Sequence, residues 1–117
     1  MAKPARSREN KWRDAEEMKR AAHDWAGRIK VRAIQIQVRA MKNKWASIST
    51  AGRLTLNTEL ITLPRELGDF VIVHELVHLL APNHGKVFKS FMHAYLPDWE
   101  ELESRLRTLH DIKTPTK

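Results

Sequence analysis

Between Pro64 and Pro82 the chain holds a segment that is apolar on nearly every side of a helix: Phe70, Val71, Ile72, Val73, Leu76, Val77, Leu79 and Leu80. A helix apolar all round has to be buried at the centre of a fold. Pro64 suits its first position, where a missing N–H has no partner to lose, and Pro82 stops it. The rest of the protein must therefore be built around residues 64–80. Yet the same segment contains His74, Glu75 and His78. An unpaired polar group in such surroundings costs about 1–3 kcal/mol. An ion shared by both imidazoles removes that cost.

The spacing fits such an ion. In His74-Glu75-Leu76-Val77-His78 the two histidines lie one turn apart on one helix face. Glu75 is offset by roughly 100° from the first and 60° from the second. It can sit beside the metal without replacing either ligand. Neutral imidazoles suit Zn2+, and a catalytic zinc keeps three protein ligands and a water. Zinc brings the pKa of that water to about 7, and Glu75 can take its proton as general base. His84 is the leading third ligand, six residues after His78 in HELVHLLAPNH. That is the metzincin spacing, with Ala81 where metzincins have glycine, so Pro82-Asn83 must turn the chain another way. A carboxylate of the last helix, from Glu100, Glu101 or Glu103, is the alternative.

The remaining chain reads as α+β. Trp12, Ala15, Met18, Ala22, Trp25 and Ile29 recur at helical spacing and predict a first helix over residues 8–29. Ile34, Ile36, Val38 and Ala40 alternate with polar residues, as in a half-buried strand. Trp45–Ser49 and Arg53–Asn57 predict two more strands, joined at Thr50-Ala51-Gly52. The short connections favour a mostly antiparallel three-stranded sheet. After the buried helix come two more, from Lys86 to Leu96 and from an Asp98 cap onward. The expected organisation is a flexible basic terminus over 1–7, one domain over 8–112 and a flexible tail over 113–117.

Composition narrows the function classes. The 117 residues suit a single domain. With no cysteine, a disulfide scaffold, a thiol nucleophile and a Cys-ligated zinc finger are all excluded. Residues 1–45 hold 13 basic and 5 acidic side chains, whereas residues 46–117 hold 8 and 9. Such asymmetry suits a polyanionic partner such as nucleic acid, or simply a solvated basic face. Trp12 and Trp25 on that basic helix could stack on bases. No apolar run approaches the roughly 18 residues of a membrane span, and Met1 to Arg13 lacks the apolar core of a signal peptide. A cytoplasmic protein is the expectation.

Four stretches in order resemble the YgjP-like metallopeptidases, relatives of the SprT-type zincins. They are Val38-Arg39-Ala40-Met41-Lys42-Asn43-Lys44-Trp45-Ala46-Ser47, Gly52-Arg53-Leu54-Thr55-Leu56-Asn57, HELVHLLAPNHGKVF and Leu96-Pro97-Asp98-Trp99. The resemblance covers about residues 28–110. It implies a minimal zincin-like fold with a small sheet above the active-site helix. It also implies that His74, His78 and His84 are zinc ligands, that Glu75 is the general base, and that an extended peptide adds to one strand of the sheet. The family's Trp-Gly-Ser-Cys-Ser is Trp45-Ala46-Ser47-Ile48-Ser49 here.

The function expected is therefore a zinc metallopeptidase acting on peptide or protein. The alternatives are a nucleic-acid-binding module with a structural or vestigial zinc centre, and a zinc hydrolase acting on another electrophile. Tyr95 or His93 could polarise the scissile carbonyl, although helical spacing groups Tyr95 with Phe88, Phe91 and Met92 as core.

Overall fold

The structure is a computed structural model that describes residues 10–113, with side chains as far as Leu109. The elements are α1 (Ala15–Ile29), β1 (Gln35–Arg39), β2 (Ala46–Ile48), β3 (Arg53–Asn57), a 3-10 helix (Thr58–Thr62), α2 (Arg65–Val77), α3 (Lys86–Tyr95) and α4 (Trp99–Lys113). This is the α+β order expected. Residues 1–7 and 114–117 of the expected flexible ends lie outside the described residues, and Lys113 is the last residue of α4.

The first helix starts at Ala15 rather than near Arg8 because Asp14 caps it, its side chain accepting from the Glu17 N–H at 3.0 Å. The chain ahead of the cap runs beneath α2 instead. There the Asn10 carbonyl accepts from the Arg65 N–H at 2.8 Å, and the Trp12 ring occupies the space left by Gly68. A Cβ at Gly68 would collide with that ring. Trp12 and Trp25 are both buried, so neither offers a face to a nucleobase. Trp25 instead pins α1 to α2, its indole N–H donating to Asp69 Oδ1 at 3.0 Å.

The sheet order is β1-β3-β2. The hairpin expected between β2 and β3 is present, with the Gly52 N–H donating to the Ser49 carbonyl at 2.9 Å. Gly52 has φ +100°, and a Cβ there would lie 2.6 Å from the Arg32 carbonyl oxygen. The other pairing corrects the expectation of a mostly antiparallel sheet. β1 runs parallel to β3, with Gln35 opposite Arg53 and Arg39 opposite Asn57. The reason is positional. The 40–45 connection carries the chain from one edge of the sheet to the other, leaving a slot that β3 fills on its return. Ile36, Ala46, Leu54 and Leu56 turn inward and are buried, while Gln35, Gln37, Arg39 and Arg53 face out.

α2 is the hub, as its apolar surface requires. α1, β2, β3, α3 and α4 all pack on it, and Leu67, Ile72, Val73, Leu76 and Val77 are essentially inaccessible. Arg105 of α4 donates to Glu66 Oε2 of α2 at 2.7 Å, closing the C-terminal helix over the hub. No helix among the described residues is long and apolar enough to cross a membrane.

Candidate active site

α2 ends three residues earlier than the sequence suggests, at Val77, and His78 is its C-cap. The last turn tightens, with Leu79 N–H donating to the Leu76 carbonyl at 3.0 Å and Leu80 N–H to Val77 at 2.8 Å. Pro82 is the cause, since a proline drives the residue before it out of the helical region. The turn from α2 to α3 uses no left-handed residue: the positive φ values among the described residues are at Lys30 and Gly52. Ala81 therefore fits, buried, where the metzincin pattern has glycine.

This turn brings His84 back over the helix. Its Nε2 lies 2.9 Å from His78 Nε2. One ligand atom from each of His74, His78 and His84 can be chosen so that all lie within 4.8 Å of one another. Phe88, buried in the first turn of α3, packs against all three imidazoles, with ring centroids 5.3, 4.9 and 4.7 Å from His74, His78 and His84. In the sequence Phe88 reads only as one residue of a packing face; here it is the platform of the triad.

Burial and the neighbouring His74 lower the His78 pKa below 6.5, and His84 adds to this while Glu75 opposes it. A neutral imidazole keeps the lone pair that a metal needs. Glu75 holds its Oε2 3.3 Å from His74 Nδ1 and faces a cavity of about 520 Å³ between β2 and α4. Trp45, Ala46, Phe70, Val71 and Leu106 supply its apolar walls, and Asn43, Lys44, Glu103 and Arg107 its polar ones. A smaller cavity of about 240 Å³ lies on the other side of His74, bordered by His84, Phe88 and Trp99.

The carboxylates of the last helix separate. Glu103 lines both cavities and Glu100 the smaller one, whereas Glu101 lines neither. Glu103 is held 3.5 Å from Arg107. Tyr95 lies elsewhere. It lines a third cavity of about 440 Å³ with Asp24, Trp25 and Asp69, on the α1 side of α2. His93 is exposed on α3 and lines none of the three.

Asn57 has no motif to mark it in the sequence, yet it holds in place the segment that lines the cavity opposite α2. It is 2% exposed. Its Nδ2 donates to the Met41 and Lys44 carbonyls at 3.1 and 2.9 Å, and its Oδ1 accepts from the Glu59 N–H at 2.9 Å. Its own N–H donates to the Trp45 carbonyl at 2.8 Å. The 41–45 segment is thereby fixed along the cavity that Glu75 faces.

A search of curated proteins gives no match. Among solved structures, the chain is similar to the metallopeptidase zymogen jannalysin of Methanocaldococcus jannaschii, with a TM-score of 0.70 and 26% identity over 78% of this chain and 94% of that one. It is also similar in fold to the zymogen abylysin of Pyrococcus abyssi, with a TM-score of 0.69 and 23% identity over 78% and 92%. The family model of the YgjP-like metallopeptidase domain matches residues 6–109, nearly the whole chain, and the protein belongs to that family.

Proposed function

We propose that this metallopeptidase is zinc-dependent, that His74, His78 and His84 hold the ion, and that Glu75 is the general base. The observation that supports this most is the convergence of three imidazoles within 4.8 Å on a shared aromatic platform. The donor set fits zinc, which takes three neutral nitrogen ligands in a catalytic site. When bound there, zinc would acidify a water and polarise a carbonyl.

The chain's own residues do the rest. The Glu75 carboxylate, at the wall of the larger cavity, takes a proton from the attacking water. It then delivers that proton to the leaving amine. β2 is the sheet edge beside this cavity, whereas β1 is the far edge. An extended peptide pairing with β2 would place its scissile bond before His74 and Glu75.

The test is a casein or fluorogenic-peptide assay on the zinc-loaded protein and its Glu75→Gln variant. Hydrolysis by the wild type, with zinc retained and hydrolysis lost in the variant, is the expected result. Equal hydrolysis by both would overturn the role of Glu75. No cleavage by the zinc-loaded wild type would overturn the activity.

A further inference from the structure

The outward face of the sheet has a charge pattern that peptide hydrolysis does not use. From Lys30 to Thr58 the chain holds six cations, Lys30, Arg32, Arg39, Lys42, Lys44 and Arg53, and no aspartate or glutamate. All six are exposed. None is ion-paired with an acid among the described residues. The first helix differs, since Arg13 lies 3.6 Å from Glu17 and Lys19 3.7 Å from Glu16. The basic excess of the N-terminal part is therefore least opposed on the sheet.

This surface is held in shape by backbone and amide bonds. Gln35, Gln37 and Arg39 share one face of β1, and the parallel register sets them beside Arg53, Thr55 and Asn57. Gln37 Nε2 donates to Thr55 Oγ1 at 3.2 Å across that face. At one end the Ile34 N–H donates to the Gly52 carbonyl at 3.0 Å, which brings the Arg32–Ile34 segment against the turn that precedes Arg53. At the other end Asn57 holds the Met41 and Lys44 carbonyls, which sets the stretch carrying Lys42 and Lys44 at the Arg39 end of the sheet. In the register Arg39 stands four positions beyond the partner of Arg53, roughly 13 Å at about 3.3 Å per residue. The exposed Gln35 and Gln37 amides lie between the two cationic ends.

From this arrangement we infer that the outward face of the sheet, with the 40–45 connection, binds nucleic acid through its phosphate backbone. Charge density selects the partner. A duplex carries a phosphate about every 3.4 Å along each strand, so both cationic ends can rest on one short stretch of it. An extended acidic peptide offers carboxylates on one face only about every 6.8 Å, and would leave most of the six cations unmet. Of the large hydrophobics exposed among the described residues, just Ile34 lies in this stretch, too little for a membrane anchor. Arginine forks and glutamine amides are groups that bond phosphate and sugar. Trp12 and Trp25 are buried, so the contacts fall on the backbone and not on stacked bases.

Two measurements on the full chain test this. The first is fluorescence anisotropy of a labelled duplex of about 24 base pairs and arbitrary sequence, at about 50 to 200 mM salt. Binding should weaken with salt along a log–log slope of about −4 to −5, the value for about five phosphate contacts. Arg39→Gln with Arg53→Gln should reduce that slope by about two and weaken binding by about tenfold or more at the lower salt. Lys19→Gln with Arg20→Gln removes the same charge from α1 and should change binding far less, all variants being checked for folding by their melting curves. Lys44 also lines the cavity that Glu75 faces and is left unchanged. No binding at the lower salt, or equal losses from both pairs of substitutions, would overturn the surface. Polyglutamate that displaces the duplex at equal charge, or tighter binding to phosphatidylserine vesicles, would overturn nucleic acid as its partner.

The second measurement locates the contact. The duplex is titrated into the 15N-labelled protein, and the Gln35 and Gln37 side-chain amide resonances should shift at the concentrations where anisotropy rises. Binding that leaves both unshifted would overturn the assignment to this face. Neither readout involves hydrolysis, so its outcome is separate from that of the peptidase assay.

Discussion

The Asn57 side-chain amide donates to the Lys44 carbonyl at 2.9 Å, across 13 residues of chain. With the parallel bond to the Met41 carbonyl it ties the end of β3 to the segment leading into β2. Asn57→Ala removes donors from two carbonyls at once. Stability should fall by about 1–3 kcal/mol, the cost of unsatisfied buried polar groups. Because the tied segment lines the cavity that Glu75 faces and is not part of the triad, KM should rise while zinc content holds. Thermal melts, metal analysis and steady-state kinetics check this. A variant with unchanged KM would show that the wall needs no such tie.

Glu75→Gln separates the chemistry from the ion. The amide keeps the shape but cannot accept the proton. Hydrolysis should fall by about 10²–10⁴-fold, the range of general acid–base catalysis, with full zinc content. Loss of zinc as complete as in His74→Ala would instead make Glu75 a ligand.

The third ligand is decided by comparing His84→Ala with Glu103→Gln. His84 stands within reach of His78, while Glu103 lines both cavities beside His74 but is paired with Arg107. His84→Ala should abolish tight zinc binding, and Glu103→Gln should leave it nearly unchanged. Zinc titration with a competing chelator measures both. The reverse order would move the third ligand to α4.

Phe88 touches all three imidazoles. Phe88→Leu keeps an apolar core residue but removes the flat platform. Zinc affinity should weaken by a factor of ten or more through loss of preorganisation, with secondary structure retained. Circular dichroism and the same zinc titration test it.

Acid should destabilise the metal-free protein. His78 has its pKa lowered by burial and by His74, whereas in the unfolded chain it returns to about 6.5. Below that value the unfolded state binds more protons, so stability rises with pH there. The melting temperature of the metal-free protein should drop as pH falls through 6.5, and levels off below the folded pKa. His78→Gln should flatten that part of the profile.

The sequence alone determined the centre of this protein. A helix apolar on nearly all sides must be buried, so residues 64–80 fixed the hub, and two histidines at i and i+4 share a face by helix geometry alone. The hairpin at Thr50-Ala51-Gly52 was equally local. Tertiary structure decided what local patterns do not encode. The slot that makes β1 and β3 parallel depends on where the 40–45 connection carries the chain. Phe88, Asn57 and Trp45 have ordinary packing or strand signatures in sequence, and they meet the site only because separate elements converge on α2. Tyr95 shows the converse. Helical spacing grouped it with the packing face of α3 and left open a place beside the carbonyl; the structure packs it against the core, lining the cavity on the α1 side of the hub. Periodicity reports which face of an element is buried; which buried faces meet is set by the packing of the whole chain.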